Sequence, residues 1–272
     1  MNRNDMLIEA DELRTKLAEP KLRIYDATIL FFRKDDEATA HEKYLQGHIP
    51  GAAFFDHQEF ADANSKYVYM MLPEAQLAAQ IGKIGISADA EVIFYTSEIL
   101  ACATRAWWIL HYAGHNNVRV LNGGLAAWQA AGGEVAQGGH TYAPTTFVCH
   151  LRPERLANKE EVQAAMGNGN VCTVNSLTQQ VYAQGHITGS TLLPCMDLMH
   201  EMAAFLPTEQ LAARLQAEAQ HKRVITYCGG GIAATVNAMA HLMAGNENVA
   251  VYDGSMDEWG GEGLPITTGG QP

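Results

Sequence analysis

A chain of 272 residues is long enough for two domains of ordinary size, and 47% hydrophobic against 18% charged residues is the profile of a protein folded throughout. The formal charge of -12, with no dense Lys/Arg run to offset it, repels polyanions and excludes nucleic acid as an expected partner. No stretch approaches the roughly 20 apolar residues of a membrane span, and the start, MNRNDMLIEADEL, has no signal-peptide core, so a cytoplasmic location without a membrane partner is expected.

In chain order, strand-like runs at 22–26, 91–95 and 118–121 alternate with helix-like stretches at 73–81 and 103–112. A Gly- and Pro-bearing stretch at 138–146 then reads as a linker. The alternation resumes with strands at 171–174, 223–227 and 249–252 and helices at 208–219 and 233–243. Such alternation predicts the α/β class, with a mainly parallel sheet flanked by helices in each half. The expected domains are 1–140 and 150–272.

The two halves also share words in the same order. GHIPGA at 47–52 returns as GHITGS at 185–190, VIFY ending at Tyr95 returns as VITY ending at Tyr227, and NGGLAAW at 122–128 returns as DGSMDEW at 253–259. The period of roughly 130 residues is far longer than that of a solenoid, so it marks two homologous domains. Taken singly, the first and third words read as a strand with its turn and as a capped turn before a helix.

The halves diverge after the second word. Tyr227 is followed by Cys228, Gly229, Gly230, Gly231, Ile232 and Ala233 and then a helical stretch, whereas Tyr95 is followed by Thr96. The carboxyl end of a strand in an open α/β sheet is where such folds place ligands. Glycines there let consecutive N–H groups converge on one anion, and the helix N-terminus adds partial positive charge. That cradle favours a thiolate and, by the same logic, a persulfide anion. The alternative is a small buried residue ending a central strand, with glycines serving only the turn.

Two other chemistries of such a cradle are disfavoured by side chains. A cysteine phosphatase needs an arginine to bind phosphate bidentately, and the corresponding stretch is Ile232, Ala233, Ala234 and Thr235. A papain-like nucleophile needs a partnered histidine and acid, of which the α/β repeat gives no sign. The remaining cysteines, Cys102, Cys149, Cys172 and Cys195, form no CxxC pair, so neither a disulfide framework nor a metal site is expected, and burial is their default.

These residues resemble the tandem rhodanese family of thiosulfate and 3-mercaptopyruvate sulfurtransferases. The likeness runs through YDAT at 25–28, GHIPGAAFFD at 47–56, MLP at 71–73, the Arg105-Ala106-Trp107-Trp108 helix, LNGGLAAW, the CGGG loop and YDGSMDEW. The resemblance implies an inactive first domain, a catalytic second domain and an enzyme that moves a sulfane sulfur through a Cys228 persulfide. The sulfur goes from a small donor to a thiol or cyanide acceptor, with the amides of Gly229, Gly230, Gly231, Ile232 and Ala233 as anion cradle. No metal or organic cofactor is implied. The uncharged loop is closer to the mercaptopyruvate type than to the thiosulfate type, yet 175–184 lacks the arginines that hold the substrate carboxylate in that type, and Asn175 replaces its usual acid. Arg33, Lys66 and above all Arg105 are the cations the first domain has to offer at a domain interface. The alternative is a carrier or sensor that takes its persulfide from a protein donor.

Overall fold

Each half of the chain builds a five-stranded, all-parallel sheet, and the two sheets have the same strand order. In this computed structural model, which describes residues 1–270, the first sheet comprises β1 (Leu7–Ile8), β2 (Leu22–Asp26), β3 (Ala53–Phe54), β4 (Glu91–Tyr95) and β5 (Val118–Leu121). The second comprises β6 (Leu156–Ala157), β7 (Val171–Asn175), β8 (Thr191–Leu192), β9 (Arg223–Tyr227) and β10 (Val249–Tyr252). The orders are β1-β5-β4-β2-β3 and β6-β10-β9-β7-β8, which puts β4 and β9 at the centres.

Burial explains the unbroken apolar runs. EVIFY of β4 and VAVY of β10 are buried at every position, as strands covered on both faces must be, so period-two alternation has no place in them. Helices cover those faces: α1 (Glu74–Lys83), α2 (Ala101–Tyr112), α3 (Ala234–Met243) and α4 (Ser255–Gly261). α3 is buried along its whole length and α2 from Ala101 to His111. The helix expected at 208–219 ends as Thr208–Arg214, and the chain tightens into a 3-10 turn at Glu218–Gln220 before entering β9.

The repeated words hold each core in the same way. Tyr44 donates its hydroxyl to the Ala52 carbonyl at 2.8 Å, and Tyr182 to Ser190 at 2.6 Å. His48 stacks on Tyr44 at 4.5 Å between ring centres, and His186 on Tyr182 at 3.7 Å. The buried indoles of Trp128 and Trp259 donate to the carbonyls of Glu134 and Pro265, six residues on in both cases.

The described residues form two compact units, and their division departs from a simple cut. The first unit is Asn4–Phe60 with Leu72–Leu151; the second takes residues 1–3, 61–71 and everything from Arg152 on. The presumed linker is laid on the first unit. Thr145 donates its N–H to Gly82 at 2.8 Å and its hydroxyl to Ile86 at 2.7 Å, and His150 donates to Ala113 at 2.9 Å. These bonds satisfy backbone groups that a free linker would leave to water, and they carry the first unit to Leu151.

Residues 61–71 form a strap closed on itself, with an antiparallel bridge between Ala61 and Met71 and an Asp62 N–H to Met70 carbonyl bond of 2.8 Å. Among the described residues, no helix is long and apolar enough to cross a membrane.

Candidate active site

Cys228 follows the central strand of the second sheet and is 2% exposed. The residues that shape its loop come from α4 and the turn before it. Ser255, fully buried, accepts from the Cys228 N–H at 3.0 Å and the Gly231 N–H at 3.1 Å, and donates its own hydroxyl to the Tyr252 carbonyl at 2.8 Å. A hydroxyl has one proton and two lone pairs, so Ser255 is saturated by these three bonds. Gly231, at φ 75°, makes the turn that brings its N–H back to the same oxygen as that of Cys228.

The loop's carbonyls are turned the other way. Met256 donates its N–H to Cys228 at 3.0 Å and Asp257 donates to Gly229 at 2.9 Å. With its carbonyls on α4, the loop has its N–H groups to offer elsewhere. Those of Gly229, Gly230, Ile232 and Ala233 have no acceptor among the described residues. Of the five amides expected in the cradle, that of Gly231 is thus bonded to Ser255, and the other four have no acceptor among the described residues. α3 starts at Ala234 without a side-chain cap, so its partial positive end opens on the same loop.

The corresponding loop of the first unit is closed. Thr96 takes the place of the cysteine, and its hydroxyl accepts from the Glu98 N–H at 2.9 Å, while Ser97 donates its N–H to the Thr28 hydroxyl at 3.0 Å. Two N–H groups that would face an anion are spent on side chains. The backbone frame is otherwise shared: Leu125 donates to Thr96 at 3.0 Å as Met256 does to Cys228.

The other expected cations sit as follows. Arg105 lies in α2 of the first unit at 1% exposure, where its charge helps burial hold His57 neutral, with a pKa lowered to about 3. Arg33 donates to the carbonyls of Lys34 and Glu37 at 2.9 and 2.8 Å. Lys66, expected from the first domain, belongs to the strap and hence to the second unit, with its ammonium 3.2 Å from Glu262. Asn175 is fully buried at the end of β7, and its side-chain oxygen accepts from the Leu177 N–H at 2.8 Å.

Burial pushes the thiols of Cys102, Cys149 and Cys195 up to about 12, 11 and 12, and raises Cys172 too, so these four stay protonated at neutral pH. For Cys195 the second cause is the charge of Cys228 nearby. The main chain joins them through Ser176, which donates its N–H to the Tyr227 carbonyl and accepts from the Cys195 N–H, both at 2.9 Å. Among the described residues, no cluster of His, Cys, Asp and Glu could hold a metal ion.

Reading the words alone misses Ser255 and Asp257, because DGSMDEW passes for an ordinary capped turn. The available signal is the difference between the copies, since Gly124 and Ala126 stand where Ser255 and Asp257 do.

Comparison with known proteins places these features among sulfur-transferring enzymes. A model of the rhodanese-like domain matches residues 9–131 and again 158–262. Thiosulfate sulfurtransferase of Bos taurus is 32% identical, covering 92% of this chain and 89% of its own. The 3-mercaptopyruvate sulfurtransferase of Escherichia coli is 29% identical, covering 95% and 96%. The crystal structure of SseA from Escherichia coli, described with the 3-mercaptopyruvate sulfotransferases, superposes with a TM-score of 0.85 at 27% identity over 94% of this chain and 99% of that one.

Proposed function

The chain belongs to the rhodanese-like domain family and is a sulfurtransferase of the thiosulfate/3-mercaptopyruvate type, and we propose that Cys228 is its nucleophile and carries the sulfur as a persulfide. The observation that supports this most is the contrast between the two loops. The second unit has a cysteine followed by a loop with four unengaged amides, while the first has a threonine followed by a loop with two amides already bonded to side chains.

The reaction is a two-step exchange. The Cys228 thiolate attacks the sulfur of 3-mercaptopyruvate, an S–S bond forms, and the C–S bond breaks with its electron pair on carbon. That carbon takes up the proton of the donor thiol, giving pyruvate and the Cys228 persulfide anion. A cyanide or thiolate acceptor then attacks the outer sulfur, the S–S bond breaks, and the Cys228 thiolate returns with thiocyanate or an acceptor persulfide as product. In both steps a negative charge stays on sulfur at the loop, where the N–H groups of Gly229, Gly230, Ile232 and Ala233 are set to stabilise it.

3-Mercaptopyruvate is the preferred donor over thiosulfate in this reading. Residues 228–235 contain no charged side chain, so a dianion desolvated against this loop finds no cation within that stretch to pair with. The absence of any Lys or Arg from 175–184 supports a second reading, in which a protein donor loads Cys228 directly.

Steady-state assays with both donors and cyanide test the proposal. Wild type should turn over 3-mercaptopyruvate with the higher kcat/KM, and Cys228→Ser should lose about a thousandfold or more with its thermal unfolding unchanged. Activity surviving in that variant moves the chemistry to another residue, and failure with both donors favours the protein-loaded carrier.

A further inference from the structure

Gly230 lacks a side chain because Val68 fills its place. A Cβ built on Gly230 would lie 2.7 Å from Cγ2 of Val68 and 3.8 Å from Cδ2 of Tyr69, the first closer than real carbon atoms approach. The φ of Gly230 lies outside the left-handed region, so it is the close approach that demands glycine here. A Cβ on neighbouring Gly229 would meet nothing within 4 Å.

Val68 is held in position by the helix that holds the loop. It donates its N–H to the Asp257 carboxylate at 2.8 Å, and Asp257 donates its own N–H to the Gly229 carbonyl at 2.9 Å, so one residue of α4 grips strap and loop together. The rest of the strap is fastened to the same segment. Met71 donates its N–H to the Asp253 carboxylate, the Tyr67 hydroxyl donates to Glu262, and Lys66 pairs with Glu262. Tyr69 sits at φ 55°, a conformation that a bulky residue adopts only when its surroundings enforce it. Val68 nevertheless remains 52% exposed, so it covers Gly230 and still presents apolar surface outward.

We propose that Val68 is a donor-size determinant: it occupies the side-chain volume that Gly230 leaves open and walls the approach to Cys228, admitting compact sulfane donors and excluding bulky ones. The inference rests on Cys228 as the nucleophile. It makes Val68 and Gly230 one packing unit in which enlarging one residue is offset by shrinking the other.

The test is a double-mutant cycle over Val68→Ala and Gly230→Ala, with kcat and KM measured for 3-mercaptopyruvate and for benzenethiosulfonate, a bulky aryl donor. Val68→Ala should raise the aryl-to-mercaptopyruvate ratio of kcat/KM by about tenfold, through KM. Gly230→Ala should lower kcat/KM for both donors by about tenfold, and adding Val68→Ala should bring it back to within about threefold of wild type. An unchanged donor ratio in Val68→Ala, or no rescue in the double variant, overturns the proposal. Should Gly230→Ala fail to fold, the donor ratio of Val68→Ala decides alone. Cys228→Ser is run alongside: residual activity there sinks the nucleophile assignment, whereas an inactive Cys228→Ser with an unchanged Val68→Ala ratio sinks only the size determinant.

Discussion

Ser255 stands at φ 49°, in the left-handed region, where the first copy has Gly124 at φ 58°. A non-glycine residue there is strained by roughly 1 kcal/mol or more, and the hydroxyl that accepts from Cys228 and Gly231 is what the strain is exchanged for. Removing that oxygen leaves two buried N–H groups unpaired, at about 1–3 kcal/mol each unless the loop rearranges to satisfy them. Ser255→Ala and Ser255→Gly should therefore both lose sulfur transfer by about tenfold or more. The glycine variant should unfold at a higher temperature than the alanine variant, because only the backbone strain is relieved in it. A fully active Ser255→Gly enzyme would show that the hydroxyl does not shape the loop. The proposed nucleophile could be singled out from sequence, since a cysteine after a strand and before glycines and a helix has few competing readings. Ser255 could not, because a serine before a helix passes for a cap, and the glycine at the matching place of the first copy gains its meaning only with the left-handed backbone angle.

Among the elements, the central strands were readable because β4 and β9 are buried from Val92 to Tyr95 and from Val224 to Tyr227 and so appear as mainly apolar runs without alternation. The strap 61–71 was not. It has no periodicity, pairs with itself through one bridge, and belongs to the second unit although its sequence lies within the first. The extension of the first unit to Leu151 was hidden for a related reason, since Gly and Pro in 138–146 signal a linker whether or not it is docked. Gly82 measures that docking. An alanine in a helix is normally favoured over glycine by up to about 1 kcal/mol, but a Cβ on Gly82 of α1 would lie 2.5 Å from the Thr145 carbonyl. The clash should prevail, with Gly82→Ala destabilising the protein by about 1–3 kcal/mol in denaturant unfolding and raising protease cleavage within 138–151. A stabilised variant would mean that the segment is only loosely held.

At the scale of the whole molecule, a duplication with one strand order carries one loop with four N–H groups that have no acceptor among the described residues and one with two N–H groups bonded to side chains, and the acid response is shared between the copies. Burial lowers His57 in the first unit to about 3 and His241 in the second to about 4, both from 6.5. These histidines are neutral in the native state and charged in the unfolded chain below their ordinary pKa. Their contribution is fully present above pH 6.5 and is lost as the pH falls toward the folded values, at about 1.4 kcal/mol per pH unit for each. Comparing wild type with His57→Gln by urea unfolding between pH 7 and 5 isolates the first of them. The variant should lose less stability over that interval, and equal losses would contradict a neutral buried His57. The central claim is that Cys228 holds the sulfur in transit, and intact-protein mass spectrometry after exposure to 3-mercaptopyruvate, without acceptor, tests it most directly. The account predicts one added sulfur atom on wild type, removed by cyanide, and none on Cys228→Ser. An added sulfur that persists in the Cys228→Ser protein would contradict it.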